Sequence, residues 1–333
     1  MRRRLLLVVL LALVPAGVAS AAKPTSWAAA EIRFLGQDPA VFRADDTVTR
    51  GELAELLAAA TGTEPAAIAK PEVPLTMQDL DARLVAALDL TPQAKAFAAG
   101  AKAAGLAPPS RFGTEVAGRL LGLRTNHPAK DDLLERLPAE PASRAEAAYS
   151  LAQIVRFRGD EIERLRSASA AFQPPTLTDW QRRILTTAVK LVGYPYVWGG
   201  TSDVRQVYSG KTVPGGFDCS GFVWRVYKLQ AYPWSGELSA ALVGRTTYAM
   251  SGEVPKAKRI GAAALQPADV IFFGAKGPRS KPAEVDHMGI YLGNGWFVHS
   301  SRSGVALELL SGWYQERFAW ARRPLAEAGL APS

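Results

Sequence analysis

The stretch GGFDCSGFVWRVY, residues 215–227, holds the single cysteine of a 333-residue chain, and the pattern after that cysteine decides the fold class. Phe222, Val223, Val226 and Tyr227 recur at i, i+1, i+4 and i+5, which places them on one stripe of a helix starting at Asp218 or Cys219. A thiol there meets unpaired backbone N–H groups and the positive end of the helix dipole, and both favour the nucleophilic thiolate. Small Ser220 and Gly221 are expected to let a substrate approach, and the same N–H groups suit an oxyanion.

The lone thiol is informative because the amino terminus has the pattern of an export leader. MRRRLLLVVLLALVPAGVASAAKPTS (1–26) combines three arginines, an apolar run from Leu5 to Val14 and a small-residue Ala19-Ser20-Ala21 cleavage pattern. This predicts a signal peptide over 1–22 and a secreted protein of the cell wall or envelope, with a retained amino-terminal anchor as the alternative. No later segment approaches about 18 consecutive apolar residues, so no transmembrane segment is expected after signal removal. In an oxidising compartment an odd cysteine means an intermolecular bridge or a reactive thiol.

Length and charge divide the rest. A mature chain of this size, with 48% apolar residues, exceeds what one core usually organises. Residues 23–175 hold 18 Lys+Arg against 20 Asp+Glu, and residues 176–333 hold 18 against 11. The basic half reads as a solubility feature, compatible with attraction to an anionic cell envelope. No Lys/Arg run with interleaved aromatics appears, which excludes nucleic acid as the expected partner.

The expected boundaries are an all-α domain over 23–172 and a catalytic domain over 173–333. In the first, alanine is abundant and apolar residues recur at helical spacing, as in Leu53, Leu56, Leu57 and Leu80, Leu84, Leu88. Helix starts are read at Thr49-Arg50-Gly51-Glu52 and Ser143-Arg144-Ala145-Glu146, both capping boxes, with a weaker copy at Thr76–Asp79. One long helix is expected from Arg144 to about Ser169, with Pro174-Pro175 as the boundary. VFRADDTVTRGELAELLAAATG (41–62) and LPAEPASRAEAAYSLAQIV (137–155) resemble the surface-layer homology repeat, although Gly51 replaces the usual alanine. That resemblance implies binding to anionic cell-wall polymers, and a plain helical spacer is the alternative.

A nucleophile needs a base, and the chain has three histidines. His127, beside Pro128, is expected at the surface. His287 and His299 flank a hairpin in VDHMGIYLGNGWFVHSS (285–301). A three-residue loop, Gly293-Asn294-Gly295, would pair Leu292 with Trp296 and Gly289 with His299, making the two histidines diagonal neighbours on one face. Gly289 would leave room between their rings. One thiol and two histidines match nucleophile, base and orienter. A Cys-His-His zinc site is the second reading, because the thiol at a helix start suits attack better than ligation. Neither a metal nor another cofactor is expected.

GYPYVWGG, FDCSGFVWRVY, LQPADVIFF and DHMGIYLGNGWFVHSS occur in the order and approximate spacing of the NlpC/P60 family of cell-wall peptidases, a resemblance covering about residues 180–325. It implies an α+β, papain-like fold, with the Cys219 helix packed on an antiparallel sheet that carries His287 and His299. It further implies hydrolysis of peptidoglycan stem peptides, commonly at the bond between D-γ-glutamyl and the diamino acid. By position, Cys219 is the nucleophile, His287 the base and His299 the polar third member. Tyr196 lines the site near the oxyanion, and Asp218 and Ser220 match substrate-contacting positions. Trp198 is read as core filling and Asp269 as a turn residue. GRTTYAM (244–250) departs from the family pattern at Ala249 and Met250. DVRQVYSGKTVPG (203–215) separates blocks that nearly touch in other members and would border the cleft or dock on the helical half. The competing readings are an amidase or acyltransferase on the same fold, and a non-catalytic cell-wall-binding protein.

Overall fold

The computed structural model describes residues 26–208 and 210–330; the leader expected over 1–22 lies outside them. The first half contains helices α1 (Ala29–Phe34), α2 (Arg50–Thr61), α3 (Met77–Ala87), α4 (Thr91–Ala103), α5 (Phe112–Leu120), α6 (Arg144–Arg156) and α7 (Asp160–Ala171). The expected long helix from Arg144 is two helices, because the chain breaks at Gly159, whose φ of 101° lies in the left-handed region.

Three of these helices start around one point. Val48, Leu75 and Ala142 each precede a hydroxyl N-cap, and they form a closed ring of backbone hydrogen bonds: Val48 N–H to Ala142 C=O, Ala142 N–H to Leu75 C=O, and Leu75 N–H to Val48 C=O, each 2.9 Å. Thr49 and Thr76 complete reciprocal capping boxes with Glu52 and Asp79. Ser143 accepts from Glu146 N–H, but the Glu146 carboxylate turns inward toward Arg124 at 3.6 Å. The expected box at Ser143 is therefore half made, and the expected weaker copy at Thr76 is complete.

After α8 (Asp179–Lys190), which Thr178 caps through a reciprocal box with Gln181, come β1 (Thr201–Ser202), β2 (Gln206–Tyr208), β3 (Lys211–Val213) and β4 (Gly216–Phe217). The cysteine helix α9 (Cys219–Trp224) follows, then α10 (Thr247–Gly252). The main sheet contains β5 (Val270–Gly274), β6 (Val285–Gly293), β7 (Trp296–Ser301), β8 (Gly304–Leu309) and β9 (Phe318–Arg322) in the antiparallel order β8-β7-β6-β5-β9. Helix α9 packs against β6 and β7, and its expected stripe of Phe222, Val223, Val226 and Tyr227 is buried. The opposite face buries Ile271, Phe273, Phe297 and Phe318 with Tyr314 from α11 (Gly312–Arg317). The result is an α+β fold preceded by a helical half. Leu84, Phe97 and Phe112 belong to the same apolar core as Phe222, Met288 and Trp296, so one core runs through both halves.

Candidate active site

Asp218 caps α9, its Oδ1 accepting from Gly221 N–H at 2.5 Å, and this puts Cys219 in the first turn, 9% exposed. Its thiol lies 3.3 Å from Thr247 Oγ1, and the backbone N–H groups of Ser220 and Met288 act on it to favour the thiolate. Helix α9 packs on β6, the strand that carries His287. Gly221 serves packing and not substrate access: a Cβ there would lie 1.9 Å from Gly200 C=O.

The histidines meet by a different route from the one expected. The loop is the two-residue turn Asn294-Gly295, with positive φ of 49° and 81°, closing a Gly293–Trp296 pair. Such a loop alone would separate the histidines. Register shifts between Tyr291 and Gly293, however, so Leu292 forms a bulge that resets the alternation. His287 Nε2 then lies 2.7 Å from His299 Nδ1. Gly289 leaves the required room, since a Cβ there would come within 3.0 Å of His299 Cβ.

Aromatic rings enclose this pair. Phe273 stacks on His287 at 5.7 Å, while Phe297 and Tyr314 lie 4.7 and 5.2 Å from His299. Burial pushes the His287 pKa down to about 4, with Asp286 opposing and Arg317 adding to the effect, and it pushes His299 well below its ordinary value. Burial also raises the Cys219 thiol, against the lowering effect of Thr247 and the two N–H groups. The helix start alone favours a thiolate; burial outweighs it, holding the thiol and both imidazoles toward their neutral forms.

Residues 193–323 match the family model described as NlpC/P60 family. This stretch is an NlpC/P60 domain. The chain is 34% identical over 142 residues to the probable peptidoglycan endopeptidase LytE of Bacillus subtilis, covering 42% of this chain and 34% of the relative. It is 33% identical to the murein DD-endopeptidase MepH of Escherichia coli, over 42% of this chain and 44% of the relative. A γ-D-glutamyl-L-lysine dipeptidyl-peptidase of Bacillus subtilis is 28% identical over 43% of this chain and 41% of its own length. The chain thus spans less than half the length of these curated relatives.

Within the NlpC/P60 domain, Tyr196 sits among Cys219, Asp218 and Asp132, and burial followed by those charges raises its hydroxyl pKa. Asp218 Oδ2 accepts from Gly199 N–H at 2.9 Å, and Ser220 Oγ donates to Asp218 Oδ1 and accepts from Arg245 Nη1 at 2.7 Å. Both residues are thus engaged in holding the 197–200 turn. Arg245 also donates to Gly199 C=O at 3.0 Å. Arg245 and Thr247 were not expected at the site from the sequence, where the Arg-Thr-Thr run of 245–247 is their one signal. Trp198 is 73% exposed and fills no core. Asp269 is fully buried at the entry to β5, receiving two hydrogen bonds from Arg323 at 2.8 and 2.9 Å.

The helical half borders this site. His127 is buried, not superficial: Glu135 accepts from its backbone N–H at 2.6 Å and pairs with its ring at 3.1 Å, and Trp27 packs edge-on against it at 4.5 Å. The 203–215 insertion docks here through Arg205, which pairs with Glu140 and donates to Glu135 C=O at 2.5 Å.

Proposed function

We propose that the chain is a secreted cysteine endopeptidase that hydrolyses peptidoglycan stem peptides, with Cys219 as nucleophile, His287 as base and His299 as orienter. The observation that carries this reading is the 2.7 Å pairing of His287 Nε2 with His299 Nδ1, on the two strands against which the Cys219 helix packs. With His287 Nε2–H donating to His299 Nδ1, the lone pair of His287 Nδ1 is free to take a proton. In the reaction, His287 Nδ1 takes the thiol proton as Sγ attacks the scissile carbonyl carbon. The oxyanion forms near Tyr196 and the Cys219 backbone N–H. Collapse expels the amine, which takes its proton from His287, and leaves a thioester on Cys219. Water, deprotonated by His287, then releases the carboxylate and the free thiol.

The bond proposed is that between D-γ-glutamyl and the diamino acid, which the name of the dipeptidyl-peptidase relative supports; the name of MepH refers to a different bond. We further propose that the helical half binds anionic wall polymers, as the resemblance of 41–62 and 137–155 to the surface-layer homology repeat implies. An amidase or acyltransferase would share the thioester step and differ in what resolves it. Digestion of purified peptidoglycan, with mass spectrometry of the new ends, separates these outcomes. We expect new amino groups on the diamino acid, and none with Cys219→Ala. Undiminished digestion by that variant would remove the cysteine mechanism.

A further inference from the structure

Asn126, outside the family match, joins two walls of the cysteine site. Its Nδ2 donates to Ser301 C=O at 2.8 Å, at the end of β7 two residues beyond His299. Its Oδ1 accepts from Tyr196 N–H at 3.2 Å. One planar carboxamide, used at both ends, therefore sets the separation between the Tyr196 segment and the strand that carries His299.

The residues around Asn126 hold it in place. Arg124 is buried, donating from Nε to Asp81 Oδ2 at 3.1 Å and from Nη2 to Met77 C=O at 2.8 Å. On the other side, His127 is buried, its backbone N–H donating to Glu135 Oε1 and its ring Nδ1 pairing with the same carboxylate. Anchors on both sides leave the carboxamide little freedom, so its hydrogen bonds cost little ordering entropy. Arg119 extends the same contact by donating to Gly193 C=O at 2.6 Å, at the start of the segment that leads to Tyr196. Nearby, Asp132 Oδ2 accepts from Trp198 N–H at 3.3 Å.

We propose that Asn126 is a positioning residue for the cysteine site, and that the helical half thereby completes the site. This rests on the function proposed above. Asn126 touches no reacting group; it acts through Tyr196 and through β7. Loss of the carboxamide lets the two walls drift, which degrades transition-state alignment more than substrate binding.

The test uses the full chain on a soluble peptidoglycan fragment. Asn126→Ala is expected to lower kcat by about tenfold to a hundredfold with KM within about twofold. Asn126→Asp keeps the acceptor for Tyr196 and sets an anionic oxygen against Ser301 C=O, and it should show the same split. Thr186→Val cuts a different contact between the halves, the 3.4 Å hydrogen bond from Ala107 N–H to Thr186 Oγ1, and should leave kcat unchanged. Unchanged kcat in both Asn126 variants would overturn the proposal, as would an equal loss in Thr186→Val, since any contact between the halves would then serve. If Asn126→Ala does not fold, Asn126→Asp decides by the same readings; failure of both to fold would make the residue structural and also overturn it. Absence of cleavage by wild type is a failure of the functional reading instead. In that case the rate of Cys219 alkylation by iodoacetamide decides: a rate unchanged in both variants overturns the positioning role, and an altered rate in a folded variant supports it.

Discussion

At Cys219 the start of a helix and the surrounding burial act in opposite directions. Two N–H groups and Thr247 favour the thiolate, and desolvation opposes it more strongly. His287 responds to burial in the same sense, its pKa falling to about 4. In the proposed mechanism neutral imidazole is the base, and lowering its pKa extends that form toward acid. We therefore expect the acid limb of kcat/KM to fall below pH 6, and not near the roughly 6.5 of an ordinary histidine. Alkylation of Cys219 by iodoacetamide in the free protein should have its midpoint above the roughly 8.5 of a free cysteine. A midpoint near neutrality would show that the helix terminus and an imidazolium outweigh burial after all. The stability consequence has a definite sign: the unfolded chain binds a proton on His287 below about pH 6.5 that the folded chain refuses until about pH 4, so stability is lost as pH falls through that window.

At the level of the element, the hairpin β6–β7 converts a sequence alternation into a histidine pair. The bulge at Leu292 sets the register, and the bare Cα of Gly289 permits close approach of His299. A Cβ at Gly289 would lie 2.9 Å from Val298 C=O, so backbone as well as side chain would have to move. Gly289→Ala should cost about 1–3 kcal/mol of stability by overpacking and lower kcat by about tenfold or more as the 2.7 Å histidine pair separates. Denaturant unfolding and steady-state kinetics on the same preparation measure both effects. Wild-type kcat in a destabilised Gly289→Ala would show that the pair tolerates displacement.

For the whole molecule, the continuous core is the main energetic fact. Phe97 and Phe172 from the helical half pack on Trp296 of β7, with ring centroids 6.1 and 5.2 Å from it. Beside that apolar contact lies a buried polar one, where Glu115 pairs with Arg119 and Arg119 reaches Gly193. Burial, with Asp81 adding, raises Glu115 to about 7 despite the opposing Arg119 charge. Two halves joined in this way should unfold together. Trp296→Ala is expected to cost about 3–5 kcal/mol and to shift a single calorimetric transition. Two transitions, of which one moves, would mean that the halves fold independently.

The α+β class was legible only through the resemblance that the order of blocks carries. The facing of His287 and His299 was expected through a three-residue loop that a two-residue turn and the Leu292 bulge replace. Cys219 at a helix start was legible directly, because it depends on short-range periodicity within one helix. The division into helical and mixed halves was legible for the same reason, as was the buried stripe behind Cys219. What only the tertiary structure decided involves residues distant in sequence. Burial by Phe273, Phe297 and Tyr314 sets the protonation of the histidines, and no local pattern reports desolvation. His127 becomes interior because Trp27 and Glu135 close over it, and Trp198 becomes exterior because its turn is held by Asp218 and Arg245 from below. Asn126 meets Tyr196 and Ser301 across 70 and 175 residues of chain, and a lone asparagine in a loop carries no sequence signal of such contacts. Local patterns choose the elements through backbone sterics and side-chain period; the site's charge states and supports depend on which surfaces the folded chain buries together.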